Sequence, residues 1–205
     1  MFNRLAANDE RHAYFGSAYA FYVLKGGRMG GRDLRQLEVF YGNRPVEQIV
    51  EIVPSNFGLP ESRMRFAVET GAALDYRRTG RGTLKCYLVP AASEGASPKE
   101  SAVILSDFSS ARSMHSPFTV DAHWRALMSY FECTALDGDP RLPDRLRVAW
   151  LRFTRPLIVD GRVQKPAYQK ALLEIVQWSL TVGLSGAILF GLQWLIGAPP
   201  TRGSL

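Results

Sequence analysis

An uncharged segment near the C terminus constrains this chain more than any other feature of its sequence. The segment runs for 22 residues from Ile175 to Ile196 and reads IVQWSLTVGLSGAILFGLQWLI. A helix of about 20 predominantly apolar residues spans the hydrocarbon core of a bilayer, whereas helices of globular domains usually run about 8–20 residues. Pro166 suits the first turn of a helix, and Gly197, Pro199 and Pro200 suit its end. We therefore predict a membrane-anchoring helix within residues 165–198 and a short tail at 199–205.

The residues around this segment predict its anchors and its orientation. Trp178 and Trp194 lie near its two ends and Lys170 precedes it, as expected of residues at a membrane interface. More basic residues precede the segment than follow it: Arg152, Arg155, Arg162, Lys165 and Lys170 against Arg202. The positive-inside rule therefore predicts a single-pass membrane protein whose N-terminal domain is cytoplasmic.

A stripe of small residues within the segment predicts association with another helix. Gly183, Ala187 and Gly191 follow one another at intervals of four, so they share one helix face. Small residues at this spacing let a neighbouring helix approach closely. Because the glutamines, hydroxyl residues and glycines of the segment oppose insertion, a lone helix gains by finding such a neighbour. The neighbour is either a second copy or another membrane protein.

Residues 1–164 predict an α+β domain with a mainly antiparallel sheet and flanking helices. Met64, Phe66 and Val68 alternate with charged residues, which is typical of a half-buried strand. The stretches ALDYRR and TLKCYLV flank TGRG and predict a hairpin, and the apolar run AVILSDF predicts an inner strand. Because strands follow strands through short turns, the sheet should be mainly antiparallel.

The other segments give less uniform patterns. We predict helices at residues 8–25, 45–53 and 121–133, the second from the helical spacing of Val46, Ile49, Val50 and Val53. The stretches RLRVAWLRF and PLIVDGRVQ predict a last pair of strands, with Asp160 and Gly161 as a turn.

Two basic clusters are candidates for binding an anionic ligand, consistent with a net charge of +6. Arg28 and Arg32 lie in the glycine-rich stretch GGRMGGR, which lacks the Lys-Ser/Thr pair of a phosphate-binding P-loop. The second cluster surrounds TGRG and consists of Arg77, Arg78, Arg81 and Lys85. Nucleic acid is an unlikely partner, because part of the positive charge lies beside the apolar segment, where it would set topology.

No catalytic or metal-binding signature is evident. The three histidines form no HExxH or HxH pattern, and Cys86 and Cys133 belong to no CxxC pair. We therefore predict no metal and no cofactor, and we expect a protein that is not an enzyme. The predicted function is that of a membrane-anchored interaction protein whose cytoplasmic domain binds a protein partner or an anionic ligand. The alternatives are a ligand-gated effector that perturbs the membrane, and a membrane-tethered enzyme acting on a phosphorylated or lipid-linked substrate.

Overall fold

A computed structural model describes residues 1–28, 35–54, 60–94, 97–108, 112, 114 and 116–196. Within these ranges, it leaves out the side chains at 53, 54, 60, 61, 182–185, 187, 189, 190 and 193–196. The chain divides into two compact units, of which the first is Met1–Pro166 and the second begins at Ala167. The first unit combines helices with a mainly antiparallel sheet, which confirms the predicted α+β class.

The helices and strands follow one another in a mixed order. The helices are α1 (Phe2–Ala7), α2 (Glu10–Ala18), α3 (Pro117–Thr134), α4 (Leu142–Thr154) and α5 (Ala167–Ile196). The strands are β1 (Phe21–Lys25), β2 (Gln36–Tyr41), β3 (Asn43–Pro54), β4 (Pro60–Thr70), β5 (Ala73–Arg78), β6 (Leu84–Val89), β7 (Ala92–Ser93), β8 (Ala102–Phe108), β9 (Leu157–Val159) and β10 (Arg162–Gln164).

The described strands form two antiparallel sheets. The larger sheet has seven strands in the order β1-β2-β5-β6-β8-β9-β10, and the smaller has the order β3-β4-β7. The hydrophobic core lies between the larger sheet and helices α1 to α4. It contains Val39, Leu74, Cys86, Leu88 and Val103 from strands and Phe2, Phe15, Trp124, Leu127 and Phe131 from helices.

The two sheets separate where β2 continues into β3 and β4 continues into β5. Gly71 lies at this point, and its backbone N–H donates to the carbonyl of Gly42 at 3.0 Å. A Cβ atom on Gly71 would lie 2.5 Å from the Cβ of Tyr41 and 2.8 Å from its carbonyl oxygen. The backbones therefore approach too closely here for any residue other than glycine.

A buried carboxylate joins the smaller sheet to the helices. Glu69 on β4 is fully buried. Its Oε2 accepts hydrogen bonds from the Tyr19 hydroxyl at 2.7 Å and from the Arg44 guanidinium at 2.7 and 2.9 Å, and its Oε1 accepts one from the Leu136 N–H at 2.7 Å. Arg44 also lies 4.8 Å from the Tyr19 ring and pairs with Asp137. One side chain thus connects β3, β4, the end of α2 and the loop after α3.

The predictions for the central strands and for two further elements are confirmed. Strands β4, β5, β6 and β8 coincide with the four predicted stretches, and β5 and β6 form the predicted hairpin. Helix α3 includes the predicted helix at 121–133. Asp160 and Gly161 both have positive φ, as a tight turn between β9 and β10 requires.

Two of the predicted helices are wrong. Only part of residues 8–25 is helical, because Phe21–Lys25 pairs with β2 along its whole length as an edge strand. Residues 45–53 belong to β3, which pairs with β4 from Asn43 to Pro54 across a bulge after Pro45. Cross-strand hydrogen bonding therefore overrides the helical spacing of the apolar residues in this stretch.

The predicted strand at residues 145–153 is also wrong, since the stretch lies in α4. Asp144, Val148 and Leu151 recur at helical spacing, and Val148 and Leu151 pack against the core. Asp144 is buried and accepts a hydrogen bond from Ser129 at 2.6 Å. Contacts with α3 thus favour a helix in a stretch whose sequence alternates like a strand.

The second compact unit contains α5, a helix of 30 residues that begins at Ala167. Its side chains from Leu172 to Thr181 are all exposed. Within the part of the chain that the structure describes, no helix has both the length and the hydropathy needed for a membrane crossing. The predicted transmembrane span stays a prediction, and the predicted tail lies outside the described residues.

We expect Glu69→Ala to destabilise the first unit severely. The substitution removes the buried acceptor shared by Tyr19, Arg44 and the Leu136 N–H and leaves Arg44 paired, among the described residues, only with the exposed Asp137, so it should cost about 3–5 kcal/mol. For a domain of this size, that corresponds to a fall in Tm of roughly 6–20 °C, measurable by thermal unfolding followed by circular dichroism. The matched control is Glu94→Ala, which breaks an exposed ion pair with Arg65. Equal Tm values for the two variants would contradict the role of Glu69.

Candidate functional site

A pocket with a basic rim lies at one end of the larger sheet. It encloses about 350 Å³, within the usual range for small-ligand sites of about 300–1,000 Å³. Its apolar wall is formed by Leu37, Tyr76, Leu84 and Met114, and its polar rim by Lys25, Arg35, Gln36 and Arg78. A small anion with an apolar body fits this division between an apolar wall and a cationic rim.

The antiparallel register brings the rim residues together. Lys25 ends β1 opposite Leu37 on β2, and Leu37 lies opposite Tyr76 on β5. The backbone N–H of Arg78 donates to the carbonyl of Arg35 at 2.7 Å, which holds these two residues side by side. Lys25 and Arg78 are exposed, and neither has an ion-pair partner among the described residues. Their charges are therefore available to a ligand.

The structure separates the six basic residues that the sequence singled out. Arg78 lines the pocket, Arg81 is exposed on the hairpin turn, and Arg32 lies outside the described residues. Arg28, Arg77 and Lys85 pair with carboxylates instead. Lys25 and Arg35 were missed although they flank the basic stretch that contains Arg28 and Arg32, because only the pairing of β1, β2 and β5 brings them beside Arg78.

The three paired cations belong to a charged ladder on and beside the larger sheet, in which each cation has its own carboxylate partner. Arg28 donates through Nε to Glu38 at 2.6 Å and lies 4.3 Å from the Phe40 ring. The other two follow the sheet register: Arg77 lies opposite Lys85 and pairs with Asp75 at 2.6 Å, and Lys85 pairs with Asp107 at 3.3 Å. Because each cation is balanced by an acid, this ladder is a weaker site for an anion than the pocket rim.

A polar cluster lies behind the pocket wall. The Tyr76 hydroxyl is 3.0 Å from Nδ1 of His123, and the Ser106 hydroxyl is 2.8 Å from Nε2 of the same ring. A serine within hydrogen-bond reach of an oriented histidine is the arrangement of a nucleophile and its base. Sequence patterns missed the pair because Ser106 lies on β8 and His123 on α3.

The protonation states in this cluster oppose nucleophilic catalysis. Burial lowers the pKa of His123 to about 4, and Arg155 acts in the same direction, so the imidazole is a poor acceptor for the serine proton. Burial also raises the pKa of the Tyr76 hydroxyl and of the Cys86 thiol. The four side chains are therefore neutral at pH 7, as expected for a hydrogen-bonded network in a core.

A larger, acidic cleft of about 990 Å³ lies among α2, α3 and the residues after α3. Several of its carboxylates have partners within the fold. Asp9 accepts from Arg11 and from the Trp124 indole, and Glu132 accepts from the Asp139 N–H. Burial raises the pKa of Glu132. Among the residues described, no group of three potential ligands that could hold a metal ion occurs.

The structure places only some of the residues predicted to act at a membrane. Trp178 and Lys170 are exposed on α5. Gly191 is exposed as well, and a Cβ added there would meet nothing within 4 Å. The side chains of Ala187 and Trp194 and the surroundings of Gly183 lie outside the described part of α5.

Comparisons of the chain with protein-family models, with curated proteins and with solved structures gave no match.

We expect His123 to make the protein less stable below neutral pH. Its pKa is about 4 in the folded protein and about 6.5 in the unfolded chain. Protons therefore bind more readily to the unfolded chain between these values, and stability falls as the pH is lowered. Between pH 7 and pH 5 the loss from this residue should be about 2 kcal/mol.

Urea unfolding at the two pH values measures this loss. His123→Gln removes the titrating group, so it should abolish the loss of about 2 kcal/mol between pH 7 and pH 5 that comes from this residue. Ser106→Ala perturbs the same cluster but keeps the imidazole, so the loss of unfolding free energy between the two pH values should persist. An unchanged pH dependence in His123→Gln would show that His123 is not its source.

Proposed function

We propose that this protein is a membrane-anchored binding protein, in which α5 is the anchor and the basic-rimmed pocket binds a small amphiphilic anion. The observation that carries the proposal is the exposure of large apolar side chains over more than half of the circumference of α5. The exposed fraction is 44–73% for Leu172, Leu173, Ile175, Val176, Trp178 and Leu180, whereas Lys170, Glu174, Gln177 and Thr181 form an exposed polar strip along the rest. A helix with so wide an apolar surface is usually buried in a large core or in a membrane.

The length and sequence of α5 support the membrane alternative. A helix of 30 residues is about 45 Å long, which exceeds the bilayer core of about 30 Å. The 22 residues at its C-terminal end include no charge. Water would hydrate such a surface poorly, whereas lipid chains or a neighbouring membrane helix would cover it.

The charge distribution supports a cytoplasmic first unit. Arg162, Lys165 and Lys170 are exposed and close to the start of α5 in the sequence, as the positive-inside rule expects of the cytoplasmic side. Arg152 contributes less to this argument, because it pairs with the buried carboxylate of Glu100.

The pocket supports a ligand with one anionic group and an apolar body. Lys25 and Arg78 supply positive charge at the rim, and Leu37, Leu84 and Met114 supply apolar contact. An exposed cation contributes modestly by itself, so recognition requires the charged and apolar parts together. Long nucleic acids are disfavoured because the neighbouring Arg77 and Lys85 are already paired.

Membrane anchoring is tested by introducing charge into α5. We expect the wild-type chain to sediment with membranes and to resist extraction at alkaline pH. Leu180→Arg combined with Ile188→Arg should release it, because each arginine at the centre of a span opposes insertion by about 2.5–3.5 kcal/mol. The control is Leu146→Arg with Trp150→Arg, which places the same charges on exposed positions of α4. A wild-type chain that remains in the supernatant would overturn the proposal.

Ligand binding is tested with a fluorescent anion. The probe is dansylglycine, which has one carboxylate and an aromatic body, and the measurement is fluorescence anisotropy with the detergent-solubilised full chain. Lys25→Ala with Arg78→Ala should weaken binding about five- to tenfold, since two exposed charge contacts together contribute about 1 kcal/mol. Arg81→Ala is the control, because Arg81 is exposed but does not line the pocket. Equal effects of these variants would place the probe elsewhere.

A further inference from the structure

Strands β3 and β4 form a long hairpin, here called the β-arm, with one apolar face exposed. The register places Gln48 opposite Phe66 and Val50 opposite Met64, and residues two apart on a strand share a face. This apolar face is 36–74% exposed at each of its hydrophobic members, which are Val46, Val50, Ile52, Met64, Phe66 and Val68.

The opposite face of the β-arm is charged. Arg65 pairs with Glu51 on β3 at 3.1 Å and with Glu94 beyond β7 at 2.5 Å. Arg63 lies opposite Glu51 in the register and is exposed. The charged face is therefore suited to water, whereas the apolar face is the side that gains from contact with another surface.

The β-arm has little other support among the described residues. Its only further strand is β7, which pairs with Glu69 and Thr70 at the base of β4. A two-stranded hairpin is at best marginally stable in water unless a third strand or a packed surface covers it. The β-arm has 12 residues in β3 and 11 in β4. A hairpin of this length would be stabilised by another surface packed against its apolar face.

The exposed area matches what a second copy can cover. The six side chains present roughly 500 Å² in total, at on the order of 150 Å² for each fully exposed large side chain. Two such faces packed against each other remove about 1,000 Å² from water, which reaches the lower limit for a specific protein–protein interface. A two-fold arrangement uses the same face on both copies and leaves neither one exposed.

A bilayer is a poorer cover for the same face. Strand β3 is an edge strand of the smaller sheet, so its outer N–H and C=O groups have no strand partner among the described residues. Water satisfies these groups at a protein–protein interface, whereas open sheet edges are not tolerated in the hydrocarbon region of a membrane.

We propose that two copies of this protein dimerise through the apolar faces of their β-arms, packed face to face about a two-fold axis. Phe66 and Met64 lie at the centre of the contact, and the charged faces point outward.

Cysteine cross-linking of the full chain in mild detergent tests the proposal. In a Cys133→Ser background, Phe66→Cys should give a covalent dimer with a short bismaleimide at least fivefold more efficiently than Arg63→Cys. The two positions are both exposed and lie on opposite faces of β4. The remaining Cys86 is buried. Equal yields for the two variants, or no dimer from Phe66→Cys, would overturn the proposal.

Light scattering after size-exclusion chromatography gives a second measurement. Met64→Glu with Phe66→Glu should shift the protein from dimer to monomer while circular dichroism stays unchanged, since both side chains are exposed. Gly191→Leu tests helix association separately, and the control Thr181→Leu lies away from the stripe of small residues on α5. A dimer that survives the β-arm substitutions but is lost with Gly191→Leu would assign dimerisation to α5 and overturn the proposal.

A fluorophore attached to the introduced thiol of the Phe66→Cys variant distinguishes the bilayer from a second copy. In vesicles, quenching by spin-labelled lipid chains would place the apolar face in the membrane and overturn the proposal. Protection from lipid quenching together with cross-linking is the expected result.

Discussion

The buried carboxylate of Glu69 is the interaction on which the arrangement of the two sheets depends. It lies where β3 and β4 leave the larger sheet, and its partners Tyr19, Arg44 and Leu136 come from three other parts of the chain. Burying this charge is favourable only because every partner is in place. The network therefore fixes the base of the β-arm against the helical layer, and the glycine at position 71 permits the close backbone approach beside it.

Similar pairing inside the fold accounts for much of the chain's charge. Arg152 pairs with Glu100, Arg77 with Asp75 and Arg28 with Glu38, and in each pair the acid is buried. These arginines hold elements of the domain together, so they contribute little to an external field. Strand ends bring two exposed cations, Lys25 and Arg78, to the rim of one pocket, and neither has an ion-pair partner among the described residues.

Two exposed apolar surfaces distinguish this chain from an ordinary monomeric domain. Helix α5 exposes apolar side chains over more than half of its circumference, whereas the β-arm is apolar on one face and charged on the other. The two surfaces therefore suit different environments. A helix satisfies its own backbone hydrogen bonds, so its wide apolar surface suits lipid, whereas a hairpin with a charged reverse side and open backbone edges suits protein and water.

The α+β class and the strands β4, β5, β6 and β8 could be predicted from the sequence, because alternation and short turns are local signals. The sequence also marked the uncharged segment that lies in α5. Residues 21–25, 45–53 and 145–153 were misassigned, since their patterns suit two structures and only the pairing of β1 with β2, of β3 with β4, and of α4 with α3 decides between them. Arg78 was predicted as a ligand-binding residue, but Lys25 and Arg35 were not. The pocket exists only where strands distant in sequence end side by side, and that proximity is a property of tertiary structure.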